Sequence, residues 1–235
     1  MSIADNIAEI RERIGRAAAK VARRADSITL MAVSKTVEPE RIKEAYAAGL
    51  RVFGENRVQE FEAKSAALSE LKDAEWHLIG HLQSNKAKKA GELFHAVDSV
   101  DSLRLAEKLN QAAAESNKKL NVLLEIKVGQ EESKAGIPLD SPELENLLRA
   151  APQLTNLQIR GLMTVPPFTE DPEGARLYFR MLRDLRDQIA ARKLPAIQMD
   201  VLSMGMSHDF EVAIEEGSTC VRVGTAIFGT RPQPA

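Results

Sequence analysis

Short runs of branched apolar residues alternate with longer amphipathic stretches along the whole chain. The opening segment sets Ile3, Ile7, Ile10, Ile14, Ala18 and Val21 at helical spacing, which predicts a helix with one buried stripe. The run 28–34 is branched and short, and predicts a first strand. Pro39 suits the first turn of a helix reaching to about residue 48, and Gly49 ends it. The alternation then repeats. Strands are predicted over 51–54, 76–79, 93–97, 120–128, 157–163, 198–202 and 219–223, and helices over 56–71, 84–90, 102–114, 142–150, 172–192 and 208–216.

Eight strands separated by helices predict a closed (β/α)8 TIM-type barrel, an α/β fold, with the additional N-terminal helix covering the gap between the last strand and the first. A doubly wound open sheet is the alternative. The absence of a Gly-x-Gly-x-x-Gly turn after the first strand argues against it. No linker divides the chain, so 1–235 reads as one domain. The longest irregular pieces, 129–140 and 163–172, each follow a strand and belong on the carboxyl rim, where such barrels place their chemistry. The stretch 129–136 reads as a mobile rim loop.

Charge and composition remove several classes of function. With 32 basic and 34 acidic residues the formal net charge is −2, which argues against broad attraction to nucleic acid or membrane. One Trp, two Tyr and seven Phe make a poor stacking surface for single strands. No apolar run reaches the ~18 residues of a membrane span, and residues 2–26 carry Asp5, Glu9 and Glu12 in place of a signal sequence's apolar core. The single cysteine, Cys220, excludes an intrachain disulfide, and the four histidines show no His-Glu-x-x-His spacing. A cytoplasmic protein fits these features best.

The candidate chemistry lies at strand ends. Lys35 closes the first apolar run, with the small neighbours Ala32, Ser34 and Thr36 leaving room for its side chain. An amine at a barrel rim forms an imine with an aldehyde once its pKa falls from about 10.4 by desolvation or nearby positive charge. The plain alternative is a lysine reaching into water. An imine alone is reversible, so a second anchor is expected, and two segments offer one for phosphate. Residues 202–209 set Ser203 and Ser207 around Gly205, and residues 221–226 set Gly224 and Thr225 where a short helix would begin. Glycine lets backbone N–H groups approach an anion, and the loops after strands seven and eight are the usual phosphate position in this fold. Ser207 as a helix cap and Gly224 as a turn residue are the bland readings.

Arg222 interrupts an apolar strand. If it points into the barrel it must be paired or ligand-bound. Asn56 ends strand two and serves either a cofactor oxygen or the next helix as its cap. His81 ends strand three and lines a pocket or donates a proton, whereas His77 inside that strand reads as a satisfied structural residue. Met163, Met204 and Met206 either pad a ring or pack the rim. The basic cluster 86–89 reads as a solvated helix face, or as a receiver for an anionic partner.

Five segments carry a resemblance. They are Ala32-Val33-Ser34-Lys35-Thr36, Phe53-Gly54-Glu55-Asn56, Trp76-His77-Leu78-Ile79-Gly80-His81-Leu82-Gln83-Ser84-Asn85-Lys86, Leu202-Ser203-Met204-Gly205-Met206-Ser207, and the tail from Arg222-Val223-Gly224-Thr225 through Gly229. Ordered over nearly the whole chain, they make it similar to the YggS/PROSC family of pyridoxal phosphate homeostasis proteins. The resemblance implies a barrel like the N-terminal domain of alanine racemase, with pyridoxal 5'-phosphate bound covalently to Lys35. It implies phosphate contacts from Ser203, Ser207, Gly224 and Thr225, and Arg222 facing the pyridine nitrogen, where it favours an unprotonated ring and weakens the electron sink. It further implies a non-enzymatic protein that buffers or delivers vitamin B6, with apo-forms of pyridoxal-phosphate enzymes as partners. A monomer is expected, with a weak dimer as the alternative. The alternatives are an amino-acid racemase, a lysine-imine aldolase and a ligand-gated interaction scaffold. Racemisation needs acid/base groups on both faces of the reacting carbon, and neither Tyr46 nor Tyr178 falls on the predicted rim.

Overall fold

The computed structural model describes residues 2–129 and 135–229. Its strands are β1 (Thr29–Val33), β2 (Val52–Glu55), β3 (Glu75–Leu78), β4 (Ala96–Val100), β5 (Leu120–Lys127), the two-residue β6 (Ile137–Pro138), β7 (Leu157–Met163), β8 (Ile197–Met206) and β9 (Cys220–Val223). The ladder runs β4-β3-β2-β1-β9-β8-β7-β5, and a β4–β5 pairing closes it, so eight parallel strands form a barrel while β6 adds to the edge of β5. The expected (β/α)8 architecture is therefore the observed one. The helices around it are α1 (Ile3–Lys20), α2 (Pro39–Ala47), α3 (Val58–Ser65), α4 (Ala87–Leu93), α5 (Leu103–Glu115), α6 (Pro142–Ala150), α7 (Arg176–Ala191), α8 (Phe210–Glu215) and α9 (Thr225–Phe228). No helix among the described residues is long and apolar enough to cross a membrane.

Strand alternation sorts the side chains into two layers. Leu30, Ala32, Phe53, Trp76, Leu78, Val122, Leu124, Leu202 and Val221 join the core under the helices. The intervening positions, among them Met31, Gly54, His77, Asp98, Glu125, Ser203 and Arg222, turn inward. Helix α1 buries Ile3, Ile7, Ile10 and Ile14, each worth about 1.5–3 kcal/mol, and its Ser2/Asp5 capping box satisfies the first free N–H groups. It packs on α2, α8 and α9, over the β9–β1 seam, as the sequence predicts. Asn6 Nδ2 donates to Ile227 O at 2.9 Å, and Arg13 pairs with Glu211 at 2.9 Å.

Several boundaries differ from expectation for identifiable reasons. The fourth strand is β4, later than 93–97, because α4 continues to Leu93 and the polar Asp98 and Ser99 are buried in the strand rather than ending it. The seventh strand, β8, runs four residues past 202, so Ser203, Met204 and Gly205 belong to the barrel wall and not to a rim loop. The 56–71 helix starts at Val58 with Arg57 as its N-cap and tightens into a 3-10 turn over Ala66–Leu68. The 172–192 helix opens with a 3-10 turn over Pro172–Ala175, capped by Asp171. The last strand begins at Cys220, one residue late. The loop expected over 129–136 lies mostly outside the described residues.

One surface cluster ties the last third together. Glu216 is buried, and Arg176 (2.8 Å), Arg183 (2.7 Å) and Arg180 (3.1 Å) of α7 converge on its carboxylate at the end of α8. Burial pushes its pKa up, but the guanidinium groups outweigh it and hold the pKa below the ordinary value. A depressed carboxylate stabilises above its unfolded pKa of about 4.3, and that contribution disappears as pH falls through the lower folded value. Glu216→Gln is therefore expected to cost about 1–3 kcal/mol at pH 7, a fall of roughly 3–10 °C in Tm, with the difference from wild type shrinking in acid. Thermal melts of both proteins from pH 3 to 8 check it.

Candidate functional site

The site begins with a turn that leaves β1. Ser34 extends the ladder by donating its N–H to Gly54 O at 2.9 Å, and Val37 N donates to Ser34 O at 3.1 Å, closing residues 34–37 into a tight turn with Lys35 at its first corner. Thr36 occupies the second corner at φ 60, a left-handed conformation rare for a β-branched residue and costing about 1–3 kcal/mol. Its N–H is taken by the Glu60 carboxylate. Below the turn, Ser34 Oγ donates to Glu55 Oε1 at 2.5 Å, and Lys64 of α3 bonds both Ser34 O (2.9 Å) and Glu55 (2.8 Å). Burial pushes the Glu55 carboxyl up, and Lys64 works against that rise. Lys35 is thus presented from backbone pinned on both sides.

Its side chain lines a cavity of about 610 Å³ at the carboxyl end of the barrel, within the ~300–1,000 Å³ range of small-molecule sites. Asn56, Ser207, Gly224 and Thr225 line the same cavity, with Arg222 at its floor. Glycines make this approach possible. A Cβ on Gly80 would sit 2.3 Å from Asn56 O, so only glycine lets the ends of β2 and β3 bring Asn56 here. Gly205, at φ +94, lets α8 start against β8, since a Cβ there would meet Ala213 Cβ at 2.5 Å. The cap of α8 is Asp209, which accepts Met206 N–H at 2.6 Å. Ser207 is left on the cavity wall.

Arg222 is 3% exposed and points into the barrel. It donates to Ser203 Oγ at 2.6 Å and to Thr164 O at 2.7 Å, and Thr164 Oγ1 in turn donates to Ile126 O at 2.7 Å. Burial pulls its pKa down, opposed by Asp98, Glu125 and Asp209 among others. Two further charge systems share the interior. His77 Nδ1 lies 3.1 Å from Asp98 Oδ2, and Nε2 lies 3.8 Å from Glu75. Burial disfavours its charge, but the two carboxylates win and raise its pKa to about 9. Glu125 is raised to about 7 by burial and by the charge of Asp101, against the pull of Arg222 and His81, and its Oε2 is buried with no hydrogen-bond partner.

The structure brings together Lys35, Asn56, Ser207, Arg222, Gly224 and Thr225. Ser203 is fully buried and reaches the cavity only through its bond to Arg222. Met163 is fully buried beside Ser203 in the β7–β8 register. His81 lines a separate groove with Gln83, Arg104 and Lys108, its Nδ1 3.1 Å from Asp101 Oδ2. Lys88 and Lys89 of the basic cluster pair with Glu115 and Glu62. Glu38, Arg41, Val165 and His208 also line the cavity. Sequence pattern gave no sign of them, because each lies on a loop or helix start where exposure is the ordinary expectation. Among the described residues no group of three or more His, Cys, Asp or Glu side chains is placed to hold a metal ion.

A barrel with a rim amine facing glycine- and hydroxyl-bearing turns defines a class of small-molecule binding folds. The family model for the alanine racemase N-terminal domain matches residues 2–232. A pyridoxal phosphate homeostasis protein of Aquifex aeolicus is 45% identical over 231 residues, covering 98% of this chain and 99% of that protein. Its counterpart in Escherichia coli K12 is 44% identical over 231 residues, covering 97% of each. The solved structure of PipY from Synechococcus elongatus PCC7942 with PLP bound superposes with a TM-score of 0.84 at 40% identity, covering 97% of this chain and 100% of PipY. The chain belongs to the alanine racemase N-terminal domain family and, within it, to the pyridoxal phosphate homeostasis proteins.

The Glu125 carboxyl carries a sign that can be measured. Its folded pKa of about 7 lies above the unfolded value near 4.3, so the native state binds more protons between those limits and loses stability as pH rises through them. Glu125→Gln is expected to be more stable than wild type at pH 8 by about 2–4 kcal/mol and nearly equal at pH 4. Denaturant unfolding at both pH values checks this.

Proposed function

We propose that this chain binds pyridoxal 5'-phosphate through a covalent imine link to Lys35 and serves vitamin B6 homeostasis by holding the cofactor, without a substrate of its own. The observation that carries the reading is that the Lys35 side chain and the Ser207, Gly224 and Thr225 turns line one cavity. The residues present fit such a ligand. A rim amine, hydroxyls, glycine-bearing turns and a buried guanidinium meet its aldehyde, phosphate and ring. When bound, the group supplies a reactive aldehyde carbon and a phosphate handle.

In this reading Lys35 Nζ is the attachment atom. Ser207 and Thr225 hydroxyls and the backbone N–H groups of residues 224–225 grip the phosphate. Asn56 donates toward the phenolic oxygen. Arg222 faces the ring nitrogen and, as a permanent donor, holds no proton for it to take. Ser203 orients Arg222 from below, Met163 packs behind that pair, and His81 acts at the neighbouring groove. The whole of 1–235 serves as one binding domain, and apo-forms of pyridoxal-phosphate enzymes are the proposed recipients. Against racemisation, no tyrosine lines the cavity among the described residues. Tyr46 bonds Asp73, and Tyr178 is packed on α7.

Borohydride reduction of cofactor-loaded protein followed by peptide mass mapping is expected to place the adduct on Lys35. Lys35→Ala is expected to remain folded by circular dichroism and to lose the adduct. An adduct trapped at another lysine overturns the assignment. D-amino acid formed at enzyme-like, Lys35-dependent rates would establish the racemase reading in its place.

A further inference from the structure

We propose that Arg41 is the cation that makes this cavity select phosphorylated over unphosphorylated ligands. This rests on the reading above, that the cavity holds a phosphorylated aldehyde, and adds what sets its preference. Helix α2 starts at Pro39, directly after the turn that presents Lys35, so its third residue, Arg41, lies over the mouth of the same cavity. The guanidinium reaches across to α9. It donates to Phe228 O and lies 6.0 Å from the centre of the Phe228 ring. Phe228 closes the short helix that Gly224 and Thr225 open, and all three line the cavity with Arg41. Arg41 therefore stands on the side of the glycine and hydroxyl turn.

Charge accounting gives it the role. A phosphate monoester carries about −1.5 to −2 at pH 7. The hydroxyls and N–H groups of residues 207 and 224–225 are neutral. Arg222 is buried at the floor, with one nitrogen on Ser203 and another on Thr164, and Lys35 spends its amine on the aldehyde in the proposed complex. Glu38, exposed at the mouth, is the one carboxylate lining the cavity among the described residues and works against an anion. A guanidinium has five N–H donors in a planar fork that matches phosphate oxygens, more than one carbonyl uses. Arg41 can hold Phe228 O and an anion together.

The test measures dissociation constants of pyridoxal 5'-phosphate and pyridoxal, and of inorganic phosphate by calorimetry, on the full chain. The variants are Arg41→Gln, Arg41→Lys and Glu38→Gln, each checked by thermal melt. Arg41→Gln is expected to weaken pyridoxal 5'-phosphate and inorganic phosphate by about 10- to 100-fold and pyridoxal by less than about threefold, since the loss falls on the phosphate contact. Arg41→Lys falls between wild type and Arg41→Gln, and Glu38→Gln tightens both phosphorylated ligands. Equal losses for pyridoxal and its phosphate would show that Arg41 only shapes the mouth through Phe228, and no loss for either phosphate ligand would equally overturn the proposal. Repeating the inorganic phosphate titration in Lys35→Ala separates the two readings. Arg41-dependent phosphate binding there, with no aldehyde uptake by wild type at Lys35, would sustain the anion site and remove the cofactor.

Discussion

The buried contact between Glu55 and Lys64 fixes the geometry on which the cavity depends. Removing one partner of a buried pair leaves an uncompensated charge and typically costs about 3–5 kcal/mol. Here the pair also holds backbone, since Lys64 bonds Ser34 O while Glu55 takes the Ser34 hydroxyl. Those bonds anchor the entry to the 34–37 turn, and Glu60 takes the Thr36 N–H at its second corner. A β-branched residue stays left-handed only where its surroundings over-determine it, and α3 supplies that constraint from outside the barrel. The rim amine is thus positioned by an electrostatic contact on the far side of the wall it projects from.

Inside the barrel the polarity is arranged differently. Most small barrels fill their interior with apolar layers, but the upper interior here carries Arg222, His77, Asp98 and Glu125. The His77–Asp98 contact satisfies one cation locally. Arg222 instead uses a neutral hydroxyl and a main-chain carbonyl, with carboxylates nearby but none in direct contact among the described residues. Its guanidinium is thereby held at the cavity floor by two neutral partners. Glu125 lies on the other side of that balance, with burial raising the pKa of its carboxyl to about 7. Arg222 thus lines the cavity, while Glu125 stays buried in the barrel interior.

Much of this was legible in the sequence, and the gaps have physical causes. Periodicity located all eight barrel strands because helix-facing strand residues are apolar. It failed at Asp98 and Ser203, where inward positions are polar and a buried strand resembles a loop. Lys35, Ser207, Gly224 and Thr225 were visible because short polar residues and a lysine at strand ends are unusual. His81 and Met163 sit next to the cavity in sequence terms only. His81 follows the Gly80 turn away toward Asp101, and Met163 is fully buried in the inward layer beside Ser203, off the cavity lining. Arg41 was invisible, because an arginine on the first turn of an amphipathic helix is ordinary until the chain places Phe228 opposite it.

Holding a ligand and transforming it make different demands on the same cavity. Transformation of an amino acid at a cofactor carbon needs a proton donor and acceptor on opposite faces. Besides Lys35, the titratable side chains lining this cavity among the described residues are Glu38 and Arg41 at the mouth, Arg222 at the floor and His208. Arginines do not exchange protons near neutrality. His208 Nε2 lies 3.1 Å from both Thr169 O and Glu170 O, which as carbonyl acceptors fix a proton on that nitrogen. Its ring leans on Phe168, 5.5 Å between centroids, so it straps the loop after β7 and is not aimed at a reacting carbon. Retention asks for less: one amine, one anion grip and an open mouth through which the ligand comes and goes. Among the described residues, Lys35 and the turns carrying Ser207, Gly224 and Thr225 line one cavity, which is the arrangement that retention asks for.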